Sequence, residues 1–401
     1  MRANTGLSSR AFLPAGVESG GIRTLDPALK RRVLYQLSYG LATLDFTILS
    51  AAPPAWSLPP SDGCGGYSDR RRINRDFGVG RHLAAVKATR GDGGLETEHL
   101  VFLDVAFSNS CNFRCRSCGP DLSSAWQAEL LLFKDAGRQR KFPTGSGLTP
   151  EAFQLQMEPF LPNVAMIRFL GGEPLLEKST YSFLEYLIER RMTHIPLYFQ
   201  TNFSVMSCQG RDAMELWNRF ERVCVAASLD GMGPRGEYLR KGQDWDETLR
   251  NRQWMFQKCP RASFRLTPTL HLMNSLHIPD FHREWIERGY VDKDDPEGFI
   301  LQTLRAPACY SAQALPERLK RQVVEKYRSH LAWLLQGHGE AAAHQYRRAI
   351  TFIEARDRSA ELEAFRRMTI ALDLLRGERF EETFPELSEL ISRRPSPDTR
   401  N

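Results

Sequence analysis

Three cysteines fall within eight residues. The segment SNSCNFRCRSC places Cys111, Cys115 and Cys118 at C-x3-C-x2-C spacing, directly after a short run of strand formers. Three thiolates on one tight loop can ligate three irons of a four-iron cluster. Such clusters usually take four cysteines, so a triplet leaves one iron open. An open coordination position is what a catalytic metal site needs, as the contrast between catalytic and structural zinc shows. A zinc site would ask for a fourth ligand near by, and no further C-x2-C pair follows. Zinc and unliganded thiols therefore stay open as readings of the triplet alone. A second element is Gly171-Gly172-Glu173-Pro174. Glycines let a backbone approach a ligand closely; Glu173 offers an acceptor for an ammonium, and Pro174 stiffens the turn. The plainer reading is a strand-to-helix turn with a solvated glutamate. Both motifs follow predicted strands, at the edge where α/β folds place their ligands.

The elements that must position these residues alternate. Strands are predicted at Val101–Phe107, Val164–Leu170, Pro196–Gln200, Val223–Leu229, Ser263–Leu270 and Phe299–Leu304. Helices are predicted between them at Leu122–Lys134, Ser179–Arg191, Arg211–Phe220, Trp245–Lys258 and Pro279–Glu287. This spacing argues for βα units and a parallel sheet. The first, second and fourth strands read as apolar on both faces, the pattern of strands covered by helices. Period alone leaves an open sheet and a partial barrel as equal outcomes. After Pro316 the chain reads as helical over Glu317–Leu335, Glu340–Arg356 and Ser359–Leu375. The resulting division is a leader over 1–98, a core over 99–309, a helical region over 310–392 and a frayed tail over 393–401.

Composition narrows the function classes. The chain has 401 residues, with 42% hydrophobic and 25% charged, which excludes a wholly disordered or collagen-like protein. No apolar run reaches the 18 residues of a membrane span. The formal charge is +6. The leader holds thirteen Lys/Arg against nine Asp/Glu, leaving the other 303 residues nearly neutral. The run Arg70-Arg71-Arg72 lacks an aromatic platform, so nucleic-acid binding is not expected. The leader also holds 13 of the 29 glycines and reads as loop or disorder. Its stretch GGIRTLDPALKRRVLYQLSYG resembles peptides translated from a transfer-RNA gene region in the wrong frame or strand, so it is expected to be a gene-calling artefact. Clustered cysteines in a large chain without a clear secretory signal point to the cytoplasm. Cys224 is expected to be an inert buried thiol. His271, His277 and His282 are expected at the rim or surface.

Taken together, FSNSCNFRCRSCGPDLSSAW, IRFLGGEPLL, YFQTN, VAASLDG, EYLRKG, LTPTLHLMNSLHIPDF and LDLLRGERFEETFPEL resemble the radical S-adenosylmethionine superfamily, and within it the twitch-domain-containing relatives of SPASM enzymes. The resemblance runs from about Val101 to Leu390. It implies an α/β fold, a partial (β/α)6 TIM-like parallel barrel followed by a helical C-terminal region. It implies that Cys111, Cys115 and Cys118 hold a [4Fe–4S] cluster whose open iron binds S-adenosylmethionine. Gly171, Gly172 and Glu173 would face the methionine ammonium, and Ser228 and Asp230 the ribose hydroxyls or carboxylate. Thr201 and Asn202 would close the same rim, Arg240 would partner the methionine carboxylate, and Asn274 would lie near the adenine. Ser117 stands where the family usually has an aromatic or large apolar residue. The remaining thiols do not compose an auxiliary-cluster site. The implied reaction is reductive cleavage to a 5′-deoxyadenosyl radical, followed by hydrogen abstraction from a peptide or small polar substrate, with a flavodoxin- or ferredoxin-like electron donor. A zinc- and nucleic-acid-binding module, or an inactive relative, are the alternatives.

Overall fold

The computed structural model describes residues 100, 102–130, 147–292, 295, 297–337 and 339–392. The leader and the tail from 393 lie outside the described residues, as does the helix expected over Leu122–Lys134 beyond Leu130.

In chain order the strands are β1 (Phe102–Val105), β2 (Arg114–Cys115), β3 (Met166–Phe169), β4 (Leu197–Thr201), β5 (Ser207–Cys208), β6 (Arg211–Asp212), β7 (Val223–Ala227), β8 (Arg240–Lys241), β9 (Ser263–Leu266), β10 (Thr269–Leu270) and β11 (Gln302–Thr303). The helices are α1 (Trp126–Leu130), α2 (Pro150–Met157), α3 (Lys178–Glu189), α4 (Ala213–Trp217), α5 (Gly233–Leu239), α6 (Trp245–Lys258), α7 (Ile278–Glu287), α8 (Glu317–Gln336), α9 (Glu340–Glu354), α10 (Leu362–Arg376) and α11 (Phe380–Thr383).

The main sheet has the order β1-β3-β4-β7-β9, with every pairing parallel. A sixth position continues it: Leu266 bridges Phe299, and β10 pairs with β11 in parallel. Each long strand thus lies beside the next long strand in sequence. Right-handed crossovers taken always in one direction put all the helices on one face. The opposite face is then the interior of a partial barrel, and the α/β expectation holds.

Register sorts the side chains onto those two faces, because lateral partners in a parallel sheet point the same way. Leu103, Ile167, Leu197 and Val223 form one buried row; Val105, Phe169, Phe199, Val225 and Phe264 form the next. This is the helix-covered face. Phe183 of α3 meets Phe169 edge-on, Trp217 of α4 packs on Phe199, and Trp285 of α7 stacks on Phe264. The other face carries Asp104, Arg168, Tyr198, Cys224 and Ser263 in one row, with Gln200, Ala226 and Arg265 beyond. The expectation of strands apolar on both faces is corrected here: helices cover only one face, so the interior face is free to be polar. Cys224 belongs to that polar face and is half-buried, not a core thiol.

The C-terminal region is helical, and α8, α9 and α10 fall within a few residues of their predicted spans. The core runs continuously from the sheet into these helices. At the junction His282 of α7 stacks on Phe299 with ring centroids 3.7 Å apart. Its Nδ1 lies 3.1 Å from His330 Nε2 and 3.2 Å from the Tyr346 hydroxyl. His271, His277 and His282 are all buried, which corrects their expected surface placement. Some of their ring nitrogens find partners inside, His277 Nε2 accepting from the Met232 amide at 3.0 Å, whereas His271 Nδ1 and His282 Nε2 have none among the described residues.

Candidate functional site

The cysteine loop leaves the C-terminal end of β1 and is docked at once onto the glycine turn after β3. The Gly172 amide donates to the Ser108 carbonyl at 3.1 Å, and the Glu173 amide to the Ser110 carbonyl at 2.7 Å. The glycines are required by this approach. A Cβ on Gly172 would lie 2.2 Å from the Ser110 carbonyl oxygen, and one on Gly171 2.7 Å from that of Ser108. Gly171 also has φ +117°, a backbone conformation that L side chains rarely adopt. The close approach is therefore made to the cysteine loop itself, where the sequence suggested a ligand.

Glu173 is fully buried. Its Oε1 accepts from the Leu175 amide at 3.1 Å and the Thr201 hydroxyl at 2.7 Å; its Oε2 accepts from the Asn202 amide at 2.6 Å. A solvated turn glutamate is excluded. Burial pushes the carboxyl up to about 7, and those three donors oppose the rise. A carboxylate offers about four lone-pair sites, so one remains for a further donor. Asn202 extends the network: its Nδ2 donates to Asn112 Oδ1 at 2.8 Å and lies 3.9 Å from Cys111 Sγ. Thr201 and Asn202, at the end of β4, thus tie the glutamate to the cysteine loop.

On the opposite flank, β2 pairs with β8, placing Cys115 opposite Arg240. Arg240 Nη1 lies 3.8 Å from Cys115 Sγ, and its Nε lies 2.8 Å from Asp230 Oδ2. That ion pair is off the hydrogen-bonding direction, so neither atom is satisfied by a well-formed hydrogen bond. Asp230 Oδ1 accepts from the Thr269 amide at 2.8 Å. Asn274 is wholly internal: its Nδ2 donates to the carbonyls of Asp230 and Thr269, and its Oδ1 accepts from the His271 amide. Its place in the fold is that of a brace for the Asp230 loop. Ser228 accepts from Gln200, which also donates to Thr267 at 2.9 Å.

The thiols feel this surrounding. Burial raises Cys111 to about 11. Cys115 is raised and Cys118 lowered, because the Cys115 thiol donates to Cys118 and so favours the thiolate there; Arg240 favours thiolate at both. Among the described residues no three His, Cys, Asp or Glu side chains converge as a single-ion site.

Cys111, Cys115, Cys118, Gly171, Gly172, Glu173, Thr201, Asn202, Ser228, Asp230 and Asn274 lie at the C-terminal rim of the sheet or in the segments that follow its strands, and Arg240, after α5, reaches the same place through the pairing of β8 with β2. Sequence reasoning missed Gln243, a buried side chain whose Oε1 and Nε2 both lack partners, and His271 Nδ1, buried and likewise unpartnered. It also missed the polar interior row. A lone Asp104 in VFLDVAF and a lone Arg168 in VAMIRFL were the available signals.

No family model matches the chain. The chain is similar to a GTP 3′,8-cyclase of Campylobacter lari, at 30% identity over 115 residues. That match covers 28% of this chain and 30% of the cyclase, so the chain aligns with less than a third of that relative's length. Two solved structures are also similar. One, "Native anSMEcpe with bound AdoMet and Kp18Cys peptide", has a TM-score of 0.42 and 17% identity, covering 59% of this chain and 62% of that one. The other, "Native anSMEcpe with bound AdoMet", has a TM-score of 0.38 and 16% identity, covering 59% of each chain.

Proposed function

We propose that this chain is a radical S-adenosylmethionine enzyme acting on a polar substrate held in the barrel interior. The observation that carries the reading is the docking of the C-x3-C-x2-C loop, through main-chain hydrogen bonds, onto the Gly171–Glu173 turn at the C-terminal rim of a parallel sheet. The donor set fits the group. Three thiols share one loop, each available to a different iron, and no fourth cysteine is built into that loop. The buried, unpartnered polar atoms of Gln243 and His271 lie beside the Asp230 turn, as a polar ligand requires.

Cys111, Cys115 and Cys118 would hold the cluster. When bound, the cluster and S-adenosylmethionine supply one-electron cleavage of the sulfonium and a 5′-deoxyadenosyl radical for hydrogen abstraction. The chain's own residues bind and orient. Glu173 keeps one acceptor site for the methionine ammonium. Arg240 has five N–H donors; its place beside Cys115 favours thiolate and leaves donors for a carboxylate. Asp230 is held by Thr269 and Arg240, so its side chain fixes the turn, and the unpartnered Gln243 amide is the better candidate for direct contact with ligand. The interior face, with the bidentate pair Arg168–Asp104, the pair Arg265–Glu297, and Tyr198 and Gln200, suits a peptide or small polar substrate.

The test is anaerobic reconstitution of the full chain with iron and sulfide, followed by dithionite and S-adenosylmethionine. 5′-Deoxyadenosine that disappears in Cys115→Ala supports the reading. A colourless protein carrying stoichiometric zinc overturns it, and a brown protein without product points to an inactive relative.

A further inference from the structure

Arg116 stands between two of the three cysteines, yet its guanidinium is turned away from them and buried against the C-terminal region. Its side chain is 1% exposed. Nη2 lies 2.5 Å from Asp373 Oδ1 and 2.7 Å from Glu378 Oε2, and Nε donates to the Tyr238 carbonyl at 3.2 Å. The cation also sits 3.7 Å from the centroid of the Tyr238 ring, whose hydroxyl donates to Asp373 at 2.7 Å. Lys241 adds a second cation to Glu378 at 2.9 Å. Asp373 is in the last turn of α10 and Glu378 follows Gly377, whose φ of +64° folds the chain back so that both carboxylates meet one arginine.

The same turn grips the other side of the loop. Arg376, also 1% exposed, donates to the Arg114 carbonyl at 2.9 Å and pairs with Glu129 at 2.7 Å. Its cation lies 5.0 Å from the Trp126 ring centroid, and Trp126 Nε1 donates to the Cys115 carbonyl at 3.0 Å. The Arg116 amide donates to the Leu239 carbonyl at 2.8 Å. The main chain on both sides of Cys115 is thereby fixed from outside the loop.

We propose that the α10 turn from Leu372 to Glu378 is a built-in part of the cysteine site: a charge clamp in which Asp373 and Glu378 hold Arg116 while Arg376 holds the Arg114 carbonyl and Glu129, so that the loop presents its thiolates in register only with the C-terminal helices docked. Asp373, Glu378, Arg376 and Arg116 are positioning residues, since none is placed to touch the cluster. The inference rests on the cluster reading above. Supporting groups of this kind typically alter metal affinity about 10–100-fold when removed.

The experiment uses the full chain, reconstituted with iron and sulfide. It compares wild type with Asp373→Asn, Asp373→Glu, Glu378→Gln, Arg376→Gln and, as a control, Arg235→Gln. Arg235 pairs with Glu386 of the same C-terminal region, away from the loop. The readouts are iron per chain, the rate of cluster bleaching by a chelator, and the paramagnetic resonance spectrum of the reduced cluster. Expected are bleaching at least about tenfold faster and a changed spectrum in Asp373→Asn and Arg376→Gln. Glu378→Gln should show a smaller effect in the same direction, and Asp373→Glu a return toward wild type. Arg235→Gln should bleach as wild type. Should Asp373→Asn fail to fold, the Glu378→Gln and Arg376→Gln rates decide. Wild-type bleaching in both, or equal acceleration by Arg235→Gln, overturns the clamp. Wild type that takes up no iron overturns the cluster reading itself, a different outcome.

Discussion

Gly172→Ala tests the docking of the two motifs with a single methyl group. The added Cβ would meet the Ser110 carbonyl oxygen at 2.2 Å and the Asn109 carbonyl carbon and oxygen at 2.5 and 2.6 Å. All three are main-chain atoms, so no side chain can swing aside. Real Cβ contacts essentially never fall below 3.0 Å, so the cysteine loop must withdraw by about 0.8 Å or the turn must distort by as much. Overpacking of this size costs about 1–3 kcal/mol, which for a chain of this length lowers the melting temperature by about 1–5 °C. The functional effect should be larger than the stability effect, because about 1 Å of misplacement at a reacting centre costs on the order of a hundredfold in rate. Thermal melts of the apoprotein, iron content after reconstitution and 5′-deoxyadenosine yield read the two effects separately. A variant that melts within about 1 °C of wild type and keeps full iron and product would show that the loop and turn are not in this contact, and the reasoning would fail.

Replacing Cys115 by Ala should remove the cluster, and retention of about four irons per chain would sink the ligand assignment. Acid should destabilise the fold through its buried rings: burial lowers His271 and His277 to about 4 and His330 to about 3, and holds His282 well below the ordinary imidazole value. The unfolded chain takes up protons below about 6.5 while the folded rings resist, so stability is complete above that value and is lost as pH falls toward the folded values, by on the order of 1–2 kcal/mol per ring at pH 5. Melts from pH 7.5 to 5 should fall less steeply in His330→Phe than in wild type; parallel curves would refute the account. Arg168→Gln, which removes a surface-accessible pair on the interior face, should cost less than about 1 kcal/mol in a denaturant melt, and a loss of several kcal/mol would mean that the row is structural.

Much of the fold was legible because strand and helix periods are local. VFLDVAF, VAMIRFL and VCVAASL are unmistakable strand formers, and their sequential spacing dictates parallel neighbours. The cysteine triplet and the glycine turn were legible for the same reason, since each is a contiguous motif. What was not legible is set by contacts distant in sequence. Nothing around His282 announces that α9 will bring Tyr346 over it, or that α8 will bring His330 to its Nδ1. Nothing in SLDG says that Asp230 will be occupied by Thr269 and Arg240. The polarity of the interior face was visible as isolated charges in apolar runs, but its meaning depends on helices covering one side only. The sequence offered no role for Arg116, because its carboxylate partners lie more than 250 residues downstream.

The bonds joining the cysteine loop to the glycine turn are made by main-chain atoms of Ser108, Ser110, Gly172 and Glu173. Every residue except proline can supply such groups. The stretch from β1 to Cys111 is therefore specified by its length more than by its spelling. A single exchange at Ser110 leaves the carbonyls where the turn needs them, whereas one inserted or deleted residue shifts both bonds out of step and carries Cys111 along the rim by about 3.3 Å, the rise of one extended residue. The segment behaves as a ruler, and a family of related chains should vary there in letters while holding the count.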